Sequence, residues 1–247
     1  MLNSKTTTLF LLIFLISACQ SNTSTKSEDS DRQDEIKSSD IGWTPLFNGE
    51  NLEGWKILGG DANFYVKDET IIGLTEENVP NSFLVTEQKY DDFILEADFK
   101  IEPEINSGIQ IRSDVYKKDT TTSYLSGRLE EGTRDWPAGR FHGYQIEIDP
   151  SDRAWTGGFY EEGGRGWLQP LTDNVAAQEA FKQNEWNHLK IKAEGNHFET
   201  WINGVKAADA TDDQAEDGFI GLQLHSAWKE EQVGKKVWFK NLKIKEL

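Results

Sequence analysis

The segment from Asp91 to Glu102 reads "DDFILEADFKIE" and indicates the fold class. Apolar side chains stand at every second position from Phe93 to Ile101, and most positions between them are polar. Successive side chains of a β-strand point to opposite faces of the sheet, so this pattern predicts a strand that is buried on one face. An amphipathic helix would instead show an apolar period of about 3.6 residues.

The same alternation continues outward from this segment. In residues 187–202 it is interrupted by a Gly195-Asn196 turn and ends at Asn203-Gly204, which predicts two antiparallel strands and a second tight turn. In the C-terminal "KKVWFKNLKIKEL" the phase changes near Lys240-Asn241, as a β-bulge requires. Further strands are predicted at residues 64–66, 70–74, 83–86, 108–113, 144–148, 158–160 and 219–225.

These strands predict an all-β protein built as a sandwich of two packed antiparallel sheets, with a short helix at residues 173–183 at most. Gly and Asn turns separate the strands, and residues 42–247 are expected to form a single domain. Two long connections, residues 114–142 and 161–185, are predicted to be functional loops.

The N-terminal residues predict export and lipid anchoring. Lys5 precedes an apolar run at residues 9–16 that is too short to span a bilayer. Small residues then lead to Cys19, the single cysteine, and resemble the lipobox of bacterial lipoproteins. We therefore predict a signal peptide at residues 1–18, a lipidated Cys19, and a flexible acidic linker within residues 19–41. The expected location is the bacterial cell envelope, at the outer membrane, facing either the periplasm or the cell surface, with contact to the membrane through the lipid anchor only.

The net charge of the chain argues against some classes of binding partner. A formal net charge of -17 argues against nucleic acid and against anionic membrane surfaces. Neutral sugars respond to hydrogen bonding and stacking more than to net charge, and nine Trp residues could supply stacking surfaces. The charge therefore leaves a carbohydrate partner open, and it does not indicate an oligomeric state.

Three predicted strands carry an unusual polar row. In "FHGYQIEID", residues 141–149, polar and acidic side chains alternate with apolar ones, and two further strands show the same arrangement. If the three strands are neighbours, their polar faces form one concave floor; otherwise each face simply meets water. The residues of this row are Gln110, Arg112, Gln145, Glu147, Gln223 and His225.

Four motifs carry a resemblance to a known family. They are "PLFNGENLEGWKI", "NSGIQIR", "WINGV" and "GFIGLQLH" followed by "VWFKNLKIKEL". In this order and spacing the chain resembles the 3-keto-disaccharide hydrolase family, formerly a domain of unknown function, over nearly all of residues 42–247. The resemblance implies a concanavalin A-like jelly-roll sandwich and a bacterial envelope lipoprotein.

The resemblance also implies an activity, the cleavage of 3-keto-glycosides by proton abstraction at C2, elimination and hydration. That route needs a base, donors for an enolate oxygen, and an acid at the leaving oxygen. Glu147 and His225 are the expected base and acid, in an order left open. The expected substrate-binding residues are Gln110, Arg112, Gln145, Tyr160, Glu161, Arg165, Gln223 and Trp136. Arg112 is alternatively a structural partner of Glu147, and residues 160–165 either cover the site or form a solvated turn.

Two other functions and one cofactor stay open at this point. A laminarinase-like glycoside hydrolase would need paired carboxylates, and "QIEID" has Gln145 where the first one would stand. A non-catalytic carbohydrate-binding lectin would fit the same fold. No cofactor is expected, although Glu147, Asp149 and His225 could hold a divalent cation. Trp155, Trp167 and Trp228 are expected in loops, as further stacking candidates beside Trp136.

Overall fold

A computed structural model describes residues 41–247. The predicted signal peptide, Cys19 and the linker up to residue 40 lie outside the described residues, so lipid anchoring and the envelope location stay predictions. No helix within the described part of the chain is long and apolar enough to cross a bilayer.

Residues 41–247 form seventeen strands and one short α-helix, together with a 3₁₀ turn at Glu230–Gln232. The first nine strands are β1 (Thr44–Pro45), β2 (Trp55–Leu58), β3 (Asn63–Lys67), β4 (Thr70–Leu74), β5 (Ser82–Tyr90), β6 (Phe93–Ile101), β7 (Ser107–Val115), β8 (Thr120–Leu125) and β9 (Glu131–Trp136). They are followed by β10 (Phe141–Ile148), β11 (Phe159–Glu162), β12 (Gly166–Gln169), α1 (Val175–Ala180), β13 (Asn187–Glu194), β14 (His197–Ile202), β15 (Val205–Thr211), β16 (Gly218–Leu224) and β17 (Lys236–Glu246).

The strands form two sheets, which confirms the predicted all-β sandwich. The back sheet has the order β15-β14-β13-β6-β17-β4-β3, with β1 paired to β17. The cleft sheet has the order β2-β5-β16-β7-β10-β11-β12-β8-β9. Neighbours pair antiparallel except β12 and β8, which meet in parallel at Gly166 and Leu125.

The core lies between the sheets and is made by the alternating residues that predicted the strands. Phe93, Leu95 and Phe99 of β6 are fully buried, and Ile109 and Ile146 of the cleft sheet belong to the same apolar cluster. Fully burying such a side chain stabilises the fold by roughly 1.5–3 kcal/mol. Strands β16, β7 and β10 of the cleft sheet therefore turn one face to this core and leave the other for polar residues.

Two local predictions are confirmed. The register of β17 shifts between Lys240 and Lys243, and Asn241 within it has a φ of 52°, so the predicted bulge is present. Helix α1 forms inside the predicted residues 173–183, and the Asn174 side chain caps it by accepting from the Ala177 N–H.

The prediction of two long functional loops is wrong. Residues 114–142 contain the hairpin of β8 and β9, and residues 161–185 contain β12 and α1. Strands β8 and β9 lie at the end of the cleft sheet, and most of their residues are exposed or half-buried. A strand without a buried face needs no apolar alternation, which is why periodicity did not reveal this hairpin.

Candidate active site

The three strands with polar rows are neighbours in the cleft sheet, in the order β16-β7-β10. The face they turn away from the core lines a cleft of about 410 Å³. Its floor is buried although it is polar: Gln145, Glu147 and Gln223 are 1%, 6% and 0% exposed. Buried polar groups are costly unless they are hydrogen-bonded, so their partners reveal what the floor is built to do.

Glu147 is held by two neutral amides. Asn106 Nδ2 donates to Glu147 Oε1 at 2.6 Å, and Gln145 Nε2 donates to Oε2 at 2.8 Å. Burial raises the pKa of Glu147 to about 7, with a further contribution from Asp149, although the two amide hydrogen bonds and Arg153 act to lower it. A carboxyl group with this pKa exists in both protonation states near neutral pH, which suits proton transfer.

A chain of hydrogen bonds leads to Glu147 along the same face of the sheet. Ser113 Oγ donates to Gln110 Oε1 at 2.7 Å, and Gln110 Nε2 donates to Gln145 Oε1 at 3.2 Å. Each donor points toward Glu147, so the chain sets the orientation of the Gln145 amide. Gln110 thus contacts Gln145 and is absent from the residues that line the cleft.

Two glycines make room for this chain, which we call the amide relay (Ser113, Gln110 and Gln145). A Cβ at Gly108 would lie 2.5 Å from Gln145 Cδ, and a Cβ at Gly143 would lie 2.2 Å from Ser113 Oγ. Both contacts are too close for any other residue. Sequence reasoning missed Ser113 and also Asn106, and the glycine before each polar row was the signal that could have suggested a tightly packed floor.

Gln223 lies in the floor of the cleft, and its side-chain amide makes no hydrogen bond within residues 41–247. It is fully buried and lines the cleft, yet neither Nε2 nor Oε1 has a hydrogen-bond partner within residues 41–247. Gly108 pairs with Glu147, and Ile109 pairs with Leu222 next to Gln223, so Gly108 lies between the two polar residues. Two inter-strand spacings separate β16 from β10 by about 10 Å, so Gln223 and Glu147 reach the cleft from either side of β7.

His225 lines the same side of the cleft as Gln223, two residues further along the chain. Its Nδ1 is 3.0 Å from the Ser226 carbonyl oxygen, which can only accept, so Nδ1 carries a proton and Nε2 is left for other partners. The imidazole contacts the Trp228 ring at a centroid distance of 4.6 Å and an angle of 81°. His225, directly after β16, and Glu147 of β10 both line the cleft.

Asp149 follows Glu147 in the acidic row, but its carboxylate forms an ion pair with Arg153. Arg153 Nε donates to Asp149 Oδ2 at 2.7 Å, and Ser151 Oγ donates to Oδ1 at 2.6 Å. A cation bound by Glu147, Asp149 and His225 would have to compete with that guanidinium. Within residues 41–247, three acidic and histidine side chains are close enough to share a metal ion, and they lie on the back sheet: His197, Glu199 and Asp209. The Lys206 ammonium already pairs with Glu199 and Asp209.

The placement of Arg112 in the polar floor is wrong. Between the pairs Gly221–Gln110 and Phe219–Ser113, β7 has two residues where β16 has one, and Arg112 has a φ of 44° in this bulge. The bulge reverses the face of Arg112, whose guanidinium donates to the Asp92 carboxylate and to backbone carbonyls, Gly195 O among them. Arg112 is therefore neither a residue of the cleft nor a partner of Glu147.

Strand β11 divides its residues between two faces. Tyr160 and Glu162 line the cleft, where the Tyr160 hydroxyl lies 3.3 Å from that of Tyr124. Glu161 points to the other face and pairs with Arg165, outside the cleft. The structure thus does not bring Glu161 and Arg165 to the predicted substrate site.

The predicted stacking tryptophans lie at different distances from the cleft, and only some of them line it. Trp136 lies in β9, where its Nε1 donates to Thr122 Oγ1 at 3.0 Å, and it does not line the cleft. Trp155 lies in a loop, as predicted, and packs edge to face against Trp167 at 4.8 Å. Trp167 lies in β12 instead of a loop and lines the cleft, although it is only 4% exposed. Trp228 is 78% exposed at the rim of the cleft, as a stacking residue would be.

Comparisons with known proteins agree with this architecture. A protein from Parabacteroides distasonis ATCC 8503, provisionally assigned as a glycosyl hydrolase, is 22% identical over 85% of this chain and 95% of its own, with a TM-score of 0.52. A Bacillus subtilis protein of unknown function with a galectin-like fold is 11% identical over 79% of this chain and 90% of its own, also with a TM-score of 0.52. These likenesses show the sandwich fold alone.

The family assignment rests on the sequence. No curated protein matches the chain. Residues 42–245 match the family described as the 3-keto-alpha-glucoside-1,2-lyase-like domain, and this match covers nearly all of the described residues. The chain therefore belongs to the 3-keto-alpha-glucoside-1,2-lyase-like domain family.

Proposed function

We propose that this protein cleaves the glycosidic bond of 3-keto-glycosides, with 3-keto-disaccharides as the substrate class. Membership of the family supports a carbohydrate-related function. The observation that carries the finer proposal is the pairing of Glu147, with its pKa near 7, and the unpartnered Gln223 amide across one cleft.

The reaction begins at the proton on C2. The ketone at C3 acidifies this proton, and its removal leaves an electron pair that forms an enolate with the negative charge on the ketone oxygen. The enolate reforms the ketone as the bond from C1 to the leaving oxygen breaks, and that oxygen takes up a proton. Water then adds across the new double bond, hydroxyl to C1 and hydrogen to C2, so the net reaction is hydrolysis.

Glu147 is the base in this proposal. Its ionised form can take the C2 proton at neutral pH, and its raised pKa makes it a better proton acceptor than an ordinary carboxylate. The amides of Asn106 and Gln145 hold both carboxylate oxygens and orient the group. Both amides are neutral, so they position the carboxylate while burial still determines the direction of its pKa shift.

Gln223 is the donor to the ketone oxygen. With Arg112 outside the cleft, the enolate needs another hydrogen-bond donor, and Gln223 Nε2 is free for that role. Its Oε1 can accept from the hydroxyl on the neighbouring carbon of the sugar. A substrate would thereby satisfy two buried polar atoms that otherwise reduce the stability of the protein.

His225 is the acid at the leaving oxygen. As an imidazolium it donates from Nδ1 to the Ser226 carbonyl and carries a second proton on Nε2, which it gives to the leaving oxygen. The ring lines the same cleft as Glu147. An ordinary retaining glycosidase would need a second free carboxyl about 5 Å from the first. Asp149 and Glu162 line the cleft but are paired with Arg153 and Arg140, so the geometry favours a single base.

Mass spectrometry of products tests the proposal. The protein is incubated separately with 3-keto-trehalose and with trehalose, and the parent sugar serves as the control that lacks the acidified proton. We expect glucose and 3-keto-glucose, or its dehydrated precursor, from the oxidised sugar alone. Cleavage of both sugars would indicate an ordinary glycoside hydrolase, and saturable binding without cleavage would indicate a lectin; either result would overturn the proposal.

A further inference from the structure

We infer that Trp228 forms a second sugar subsite, which takes the ring on the leaving-group side of the scissile bond. The indole is 78% exposed, the highest value among the large exposed hydrophobic residues of the described chain. It lines the cleft that holds Glu147 and also a neighbouring cavity of about 520 Å³. The assignment of this ring as the leaving group rests on the proposed function.

The backbone that carries Trp228 is fixed on several sides. Ala227 forms a parallel bridge with Glu77, and the Trp228 N–H donates to Gln232 Oε1 at 2.8 Å. Gln232 Nε2 donates in turn to the Glu104 carbonyl at 2.8 Å. An exposed indole on a fixed backbone loses little conformational entropy when a ligand covers it, so it can serve as a binding platform.

The position of Trp228 beside His225 determines which ring it would contact. The two aromatic rings are 4.6 Å apart, whereas Glu147 lies across the floor on β10. His225 protonates the leaving oxygen in the proposed reaction, so the group beyond that oxygen extends past His225 toward Trp228. The 3-keto ring itself would lie in the part of the cleft that Glu147 and Gln223 line.

The neighbouring cavity suits a neutral pyranose. Trp228 offers an apolar surface, and Glu77, Asn78 and Lys229 offer hydrogen-bond donors and acceptors around it. A pyranose presents an apolar face of C–H groups and a rim of hydroxyls, which is the complement of such a lining. The cavity is therefore assigned to a sugar ring and not to a charged leaving group.

The test compares two substrates that differ only beyond the scissile oxygen. The specificity ratio is kcat/KM for 3-keto-trehalose divided by kcat/KM for methyl 3-keto-α-glucoside, whose leaving group is too small to reach Trp228. We expect Trp228→Ala to lower this ratio about fivefold and Trp228→Phe to restore most of it, since stacking is worth about 1 kcal/mol. Trp186→Ala, at an exposed Trp next to the back sheet, is the matched control and should leave the ratio unchanged.

A separate binding measurement distinguishes failure of the subsite from failure of the proposed reaction. Calorimetric titration of unoxidised trehalose and of methyl α-glucoside into Glu147→Gln requires no turnover. We expect tighter binding of trehalose and loss of that preference in the Glu147→Gln, Trp228→Ala double variant. An unchanged preference, or an equal effect of Trp228→Ala on both substrates, would overturn the subsite whether or not the 3-keto sugars are cleaved.

Discussion

Buried carboxylates lie on both faces of the cleft sheet, and they have different kinds of partner. In the cleft, Glu147 accepts hydrogen bonds from the neutral amides of Asn106 and Gln145. On the other face, Glu161 and Asp212 share the Arg165 guanidinium. Glu147 and Glu161 are both buried and differ in the charge of their partners, whereas Asp212 is half-buried and also differs from Glu147 in exposure.

The pKa values of Glu147 and Asp212 shift in opposite directions. Burial raises the pKa of Glu147 to about 7 because neutral donors offset only part of the desolvation. Burial also acts to raise the pKa of Asp212, but hydrogen bonds from Arg165 and Tyr144 outweigh it and leave the pKa below its usual range. A buried carboxylate with neutral partners can exchange protons near neutral pH, whereas one paired with a guanidinium stays ionised and serves the structure.

The largest expected effect comes from Glu147→Gln. The substitution keeps the shape of the side chain but removes the ionisable group, so turnover of 3-keto-trehalose should fall about 10²-fold or more. Glu161→Gln is the matched control from the other face, and it should change the rate less than about twofold. Steady-state kinetics measure both, and near-normal turnover by Glu147→Gln would remove Glu147 as the base.

The second effect is on stability as a function of pH. The pKa of Glu147 is 4.5 ordinarily and about 7 in the folded protein, so the folded state holds the proton more tightly. Its contribution to stability is present below pH 4.5 and is lost as the pH rises through about 7, a change of about 3 kcal/mol. Urea unfolding from pH 4.5 to pH 8 should therefore show the wild type losing stability relative to Glu147→Gln. Parallel curves for the two proteins would contradict the raised pKa.

The third expected effect concerns the face of the cleft sheet opposite the cleft, where Asp212 pairs with Arg165. Asp212→Asn removes one of the two carboxylates of Arg165 and weakens the acceptor of the Tyr144 hydroxyl, so it should lower the free energy of unfolding by about 2 kcal/mol. Because Asp212 lies outside the cleft, kcat/KM for 3-keto-trehalose should stay within about twofold of the wild type. A large loss of kcat/KM with unchanged stability would mean that the two faces do not differ in the way described.

Alternation predicted much of this arrangement. It identified β6 and the three adjacent polar rows, since every second residue of a half-buried strand is apolar. It placed Arg112 on the wrong face because a bulge reverses the alternation without leaving a mark in the apolar pattern. It also did not show that Glu161 and Glu162 face opposite sides, because the predicted strand ends at Tyr160 and a loop is predicted to follow it. The hydrogen-bond partners of Glu147 come from residues distant in sequence, such as Asn106, and no local pattern predicts them.

The smallest expected effect comes from the amide relay. Gln110→Leu removes the donor to Gln145 Oε1, so the Gln145 amide is polarised less and can turn its oxygen toward Glu147. Both changes disfavour the ionised carboxylate, and the pKa of Glu147 should rise by roughly half a unit, or about 0.7 kcal/mol. The rising limb of kcat/KM against pH, expected near 7 in the wild type, should move upward accordingly. Thr200→Val, which removes the buried hydrogen bond from Thr200 to Gly157 O, is the control for general destabilisation and should leave the limb in place. If Gln110→Leu lowers stability as Thr200→Val does but leaves the limb unmoved, the relay supports the fold and does not tune the base.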